Sequence, residues 1–110
     1  YFTVAKQTPK TKTVWLAFPI GITKQAPFSR LEITHYLEKA HIQTRPVFTG
    51  NILKQTGFKN IKHRASGAHT ETEWVMRNSF VLGCHQGLTK KQMAYIKLTV
   101  LEFLSRYPIL

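Results

Sequence analysis

Two short segments of the chain combine side chains suited to holding a ligand. Thr44-Arg45-Pro46-Val47-Phe48-Thr49-Gly50-Asn51 joins a cation, an aromatic ring and a Gly-Asn break at the end of an extended run. A guanidinium offers a planar fork of donors to a phosphate or a pair of hydroxyls, and Pro46 restricts the backbone beside it. His85-Gln86-Gly87-Leu88-Thr89 leads into a helix start, whose free N–H groups favour an anion. Other chemistries are poorly served. All five acidic residues are Glu and there is no Asp, which excludes an Asp-based triad, an aspartic dyad and an EF-hand within this chain. His35, His41, His63, His69 and His85 with Cys84 invite a metal, yet none has the close pair spacing of a zinc site and there is no second Cys. Cys84 and His85 are neighbours on an expected strand, where adjacent side chains point to opposite faces and cannot act together as nucleophile and base. Serine catalysis lacks a GxSxG elbow. No catalytic residue and no metal site is assigned.

The 110 residues carry 16 Lys+Arg against 5 Asp+Glu, a formal charge of +11, and 43% are hydrophobic. That is one folded domain rather than a disordered segment. Such a charge suits the phosphates of a nucleotide or nucleic acid, or an acidic protein face. No RNP-like strand, KH loop or zinc finger is present, so a stand-alone basic interaction or nucleic-acid-binding domain, the alternative reading, rests on charge alone. A lone cysteine points to a reducing, cytoplasmic compartment. No apolar run approaches the roughly 20 residues that span a bilayer. The opening Tyr1-Phe2-Thr3-Val4 has neither an initiator Met nor a signal pattern, so the chain is expected to be a piece of something longer.

The elements that must position these segments are legible as patterns. Residues 1–13, with Lys6, Lys10, Lys12 and Pro9, lack apolar periodicity and are expected to be a linker or arm before a domain over 14–110. Val14, Leu16, Phe18, Ile20 and Ile22 alternate as a first strand. Ser29-Arg30-Leu31-Glu32 is a capping box opening a helix over 29–40. Ile42 to Thr49 reads as a second strand, and Lys54 to Ala68, with four Lys/Arg and two Gly, as a long functional loop. Thr70-Glu71-Thr72-Glu73 is a second capping box, Ser79 to Cys84 a third strand, and Thr89-Lys90-Lys91-Gln92 a third box before a helix with Met93, Ile96, Val100, Phe103, Leu104 and Tyr107 on one stripe. The expected architecture is an α/β or α+β sandwich with a three-stranded sheet packed by helices, mostly on one face. Trp15, Trp74 and Phe80 are expected to contribute to a partner-facing surface.

Three strings carry a family resemblance: Trp15-Leu16-Ala17-Phe18-Pro19, the segment Thr44 to Asn51, and Asn78-Ser79-Phe80-Val81-Leu82-Gly83-Cys84-His85-Gln86-Gly87-Leu88-Thr89. Over about residues 14 to 107 the chain resembles the C-terminal portion of the nucleotide-sugar aminotransferase and dehydratase family. The Arg-Pro-x-Phe-x-Gly-Asn string followed by Gly-Leu-Thr resembles the dehydratase branch, nearest to the CDP-4-keto-6-deoxyglucose 3-dehydratases of lipopolysaccharide dideoxysugar synthesis.

The resemblance implies the small C-terminal domain of a fold-type-I, PLP-dependent transferase. It implies PLP or PMP held chiefly by a large N-terminal domain absent from this chain, so that the fragment alone is inactive and binds no cofactor. It implies a small domain closing over a nucleotide-sugar substrate, with Arg45, Phe48, Asn51 and Arg77 as substrate contacts and His85 as a weaker one. The implied partners are the chain's own large domain, a second copy in a homodimer when full length, and an iron-sulfur reductase, with no membrane.

Overall fold

The computed structural model describes residues 1–108, so the expected domain end at 110 lies outside the described residues. The alternating run around Ile20 folds as strand β2 (Ala17–Ile22), which pairs on one side with β1 (Phe2–Val4) and on the other with β4 (Ser79–Gly83). Beyond β4 lies β3 (Thr44–Pro46), and the sheet order is β1-β2-β4-β3, antiparallel throughout. Helix α1 (Arg30–Lys39) separates β2 from β3. Helix α2 (Thr70–Asn78) runs directly into β4, and α3 (Lys90–Leu104) follows it.

Register decides which side chains share a face. Ile20 lies opposite Phe80, Phe18 opposite Leu82 and Phe2 opposite Ile22, and directly paired residues project to the same side. Ile20, Ile22, Phe80 and Leu82 bury there against Ile33 and Leu37 of α1, Phe103 of α3, and Phe28 and Ile42 from the loops. Phe28 meets Phe103 edge-on at 5.0 Å and Tyr1 edge-on at 5.6 Å, a geometry that favours the ring quadrupoles. On the reverse face, Gly21 allows a close approach: a Cβ there would stand 2.5 Å from Cη2 of Trp74 on α2. Two helices thus cover one face, and the third covers part of the other.

Capping fixes two of the helices. Ser29 and Glu32 form the reciprocal box of α1, and Thr89 and Gln92 that of α3. The expected box at Thr70 does not form. His69 takes the cap position in a left-handed conformation (φ 52°) with no side-chain cap, Thr70 is already helical, and Glu73 is engaged elsewhere.

Further expectations are corrected. The sheet has four strands rather than three, because Phe2–Val4, within the segment read as an arm, adds along β2; three residues are too few to show a period. Val14 and Leu16 precede β2 and are 93% and 85% exposed instead of lying on its buried face. β3 is confined to Thr44–Pro46 rather than spanning 42–49. Ile42 turns into the core, its N–H donating to Leu37 O at 2.9 Å, and Gly50 N closes a turn on Val47 O at 3.1 Å. Phe80 is a core residue, 1% exposed, and cannot serve a partner surface.

Candidate functional site

The site is organised by β3, whose pleat sends successive side chains to opposite sides. Arg45 lines one cleft and Pro46 a second.

The first cleft has a volume of about 380 Å³ and is bordered by Arg45, Gln43, His85, Gln92, Tyr95 and Ile96. Arg45 and His85, both exposed, come together here from segments 40 residues apart in sequence (85 − 45). Arg45 follows Thr44, whose N–H and Oγ1 both donate to Glu38 Oε1, the hydroxyl at 2.8 Å. Those two hydrogen bonds, with a smaller contribution from the Arg45 charge, hold the Glu38 carboxyl below its ordinary range. His85 Nδ1 accepts from Gly87 N–H at 3.1 Å, which places the proton of the neutral ring on Nε2. Tyr95 Oη donates to Ala40 O at 2.9 Å, joining α3 to the end of α1. A cation, an imidazole and two amides around a partly apolar floor can bind phosphate or sugar oxygens.

The second cleft, about 630 Å³, is bordered by Phe48, Phe58, Met76, Pro46, Gly50 and Arg30. Phe48 is 78% exposed with φ +44°, a strained backbone for a bulky residue. Two residues on, Gly50 (φ +59°) leaves no room for a side chain, since a Cβ would stand 2.4 Å from Met76 Cγ. Arg30 Nη1 donates to Met76 O at 3.0 Å, tying the start of α1 to the end of α2.

Asn51 and Arg77 meet at Glu73. Asn51 is buried, and its Nδ2 donates to Glu73 Oε1 at 2.7 Å while its Oδ1 accepts from Leu53 N–H at 3.1 Å. Lys54 Nζ lies 2.9 Å from Glu73 Oε2 and the exposed Arg77 Nε 3.5 Å from it. Hydrogen bonds from Lys54 and then Asn51 keep the Glu73 carboxyl below its ordinary range.

The five expected residues therefore fall in three neighbouring places: Arg45 with His85, Phe48 on its turn, and Asn51 with Arg77 on Glu73. Sequence reasoning missed Glu73 as the centre of that last group, because Thr-x-x-Glu reads equally as a cap. It also missed Arg30, Phe58 and Met76; an aromatic beside Gly57 in a basic loop was the only signal. Among the described residues no three His, Cys, Asp or Glu side chains gather to hold a metal, and no helix is long and apolar enough to cross a membrane.

Neither cleft lining includes a lysine, and the chain has no Asp to pair a pyridinium nitrogen. These residues therefore do not build a holder for PLP.

The model of the DegT/DnrJ/EryC1/StrS aminotransferase family matches residues 1–101. The lipopolysaccharide biosynthesis protein RfbH of Salmonella typhimurium is 32% identical over 103 residues, covering 94% of this chain and 24% of the relative. The dTDP-4-dehydro-2,6-dideoxy-D-glucose 3-dehydratase of Saccharopolyspora spinosa is 30% identical over 99 residues, covering 90% of this chain and 21% of the relative. Among solved structures, a mutant GDP-4-keto-6-deoxymannose-3-dehydratase (ColD) with bound GDP-perosamine superposes with a TM-score of 0.82 at 26% identity, covering 91% of this chain and 26% of that one. The E. coli GDP-4-keto-6-deoxy-D-mannose-3-dehydratase with bound hydrated PLP gives 0.76 at 25% identity, covering 92% and 25%. The chain thus spans about a quarter of the length of these relatives.

Proposed function

This chain belongs to the DegT/DnrJ/EryC1/StrS aminotransferase family, and on that premise we propose that it is the small C-terminal, substrate-closing domain of a PLP/PMP-dependent nucleotide-sugar 3-dehydratase. The pathway class is dideoxysugar and lipopolysaccharide O-antigen synthesis. One observation carries the reading: over nine-tenths of its length the chain matches relatives named as 3-dehydratases both in sequence and in fold. The substrate is a 4-keto-6-deoxy sugar nucleotide, CDP-4-keto-6-deoxyglucose in the reading its motifs favour.

In the complete enzyme the cofactor, held by the large domain, supplies the electron sink for loss of the C3 hydroxyl. This chain binds and orients. Arg45 and His85 contact the phosphate or sugar oxygens from the first cleft, and the net charge of +11 favours an anionic substrate. Phe48 faces the substrate from its exposed turn, and Arg77, paired with Glu73, is a further cation for the substrate's anionic groups. Asn51 serves the site by seating the turn, its own amide being spent on Glu73 and Leu53. The partners are the large domain, a second copy of the full-length chain, and an iron-sulfur reductase, in the cytoplasm. The basic interaction or nucleic-acid reading keeps only charge in its favour.

The test uses the full-length protein with PMP and the 4-keto sugar nucleotide in heavy-oxygen water. Reversible loss and return of the C3 hydroxyl places label at C3, read by fragment-resolved mass spectrometry after the exchangeable C4 carbonyl oxygen has been returned to ordinary water. A protein that binds both PMP and the sugar nucleotide yet leaves the C3 oxygen unexchanged overturns the proposal.

A further inference from the structure

We propose that Met76 is a positioning residue for the substrate: its thioether sulfur seats the turn that presents Phe48. The inference rests on the nucleotide-sugar reading above and adds to it a residue that acts through another. On α2, Met76 lies against the turn after β3, and its Sδ accepts the backbone N–H of Asn51 at 3.3 Å. A Cβ at Gly50 would stand 2.8 Å from Met76 Cβ and 2.9 Å from Sδ, so the side chain lies flush against the glycine. An unbranched thioether can fit such a gap and still offer an acceptor, which no aliphatic side chain does. Met76 is itself anchored, because its carbonyl accepts from Arg30 Nη1 at 3.0 Å. Glu73, three residues earlier and on the same side of the helix, accepts from the Asn51 amide at 2.7 Å. Asn51 is 5% exposed, and the sulfur gives its main-chain N–H the partner that a buried donor requires.

The seat matters for Phe48, three residues before Asn51. Its φ of +44° is a conformation that a bulky residue keeps only where the surroundings hold it. The ring is 78% exposed, so packing of the ring does not hold it. The fastening at either end does: β3 pairs with β4 through Thr44, Arg45 and Pro46, and Asn51 is bound to Met76 and Glu73. Gly50 N–H, donating to Val47 O at 3.1 Å, closes the turn between them. Without the bond to sulfur the turn relaxes toward an ordinary φ and carries the ring away from the substrate, while Arg45 and His85 keep their own cleft.

The experiment measures, in the full-length protein, the Kd of the 4-keto sugar nucleotide by calorimetry without PMP and the rate of C3-oxygen exchange at saturation with PMP. Met76→Leu keeps the apolar volume and the fold but removes the acceptor, and Met76→Gln offers an amide oxygen at similar reach. The seat predicts a Kd raised about fivefold in Met76→Leu with the saturated exchange rate nearly unchanged, and most of that loss recovered in Met76→Gln. In a Phe48→Ala background, with no ring to position, Met76→Leu raises Kd no further. A packing role reverses the order, with Met76→Leu near the parent and Met76→Gln impaired. That order, a parental Kd in both variants, a further rise in the Phe48→Ala background, or loss of a cooperative melt in Met76→Leu overturns the seat, and C3-oxygen exchange by the parent protein shows that the nucleotide-sugar reading survives it. A parent that binds the sugar nucleotide and PMP without exchange overturns both.

Discussion

The side-chain amide of Asn51 donates to Oε1 of Glu73 at 2.7 Å across 22 positions of sequence, fastening the turn after β3 to helix α2. The same carboxylate takes Lys54 at 2.9 Å on its other oxygen. One acidic side chain thus ties both Asn51 and Lys54 of that segment to α2.

Asn51→Ala removes the bond to Glu73 and the cap on Leu53 N–H. A loss of about 1–3 kcal/mol in unfolding free energy is expected from urea denaturation of the protein. Asn51→Asp sets two carboxylates together and costs more at neutral pH than in acid. Combining it with Glu73→Gln restores a donor and an acceptor and recovers most of that extra loss. Equal stability of Asn51→Asp and the parent at pH 7 would show that the contact does not form.

Acid should loosen the fold through three of its five Glu residues. Glu32 is held low by Ser29, Glu38 by Thr44, and Glu73 by Lys54 and Asn51. A carboxyl whose folded pKa lies below its unfolded one stabilises fully above the ordinary value, and that contribution disappears as pH falls through the folded value. Melting temperature is expected to decline progressively below the ordinary carboxyl value of 4.5. Glu73→Gln should flatten the decline.

Gly21→Ala brings a methyl against Trp74 at 2.5 Å and Thr3 at 2.8 Å. Overpacking of that kind costs about 1–3 kcal/mol. Trp74→Leu in the same background should relieve part of it, and thermal denaturation of the single and double variants measures the coupling.

Arg45→Lys in the full-length enzyme keeps the charge and loses the fork. The expected effect is a fall of about 1.5–3 kcal/mol in transition-state stabilisation, read from kcat/KM for the 4-keto sugar nucleotide, with an unchanged melt. Unchanged kinetics would return Arg45 to an ordinary surface role.

Helix α3 presents a second apolar face. Leu98 and Leu101 are 64% and 50% exposed, on the side away from Phe103 and Thr99. Leu98→Lys with Leu101→Lys should reduce hydrophobic-dye binding and self-association of the isolated chain without lowering its melting temperature, as judged by sedimentation and a thermal melt. Persistence of both would move the sticky surface to Val14 and Leu16.

Local chemistry was legible wherever neighbours in sequence are neighbours in space. Ser29 with Glu32 and Thr89 with Gln92 form their boxes because a cap needs only three residues of separation, and the stripe through Ile96, Val100 and Phe103 already marked the face that α3 turns to the core. The family strings, each continuous, carried the fold class and the function proposed here. Tertiary structure decided what depends on partners far along the chain. Thr70-x-x-Glu73 has the same local signature as a true cap, but Asn51 and Lys54 offer Glu73 donors that local patterning cannot reveal. Phe2–Val4 becomes a strand only because β2 presents an open edge beside it. Arg45 and Pro46 belong to different clefts because β3 is a pleated strand, and Phe48 and Phe58 border one cleft although ten positions separate them. Contacts closed over tens of residues depend on the whole chain's packing, and no short window of residue types contains that information.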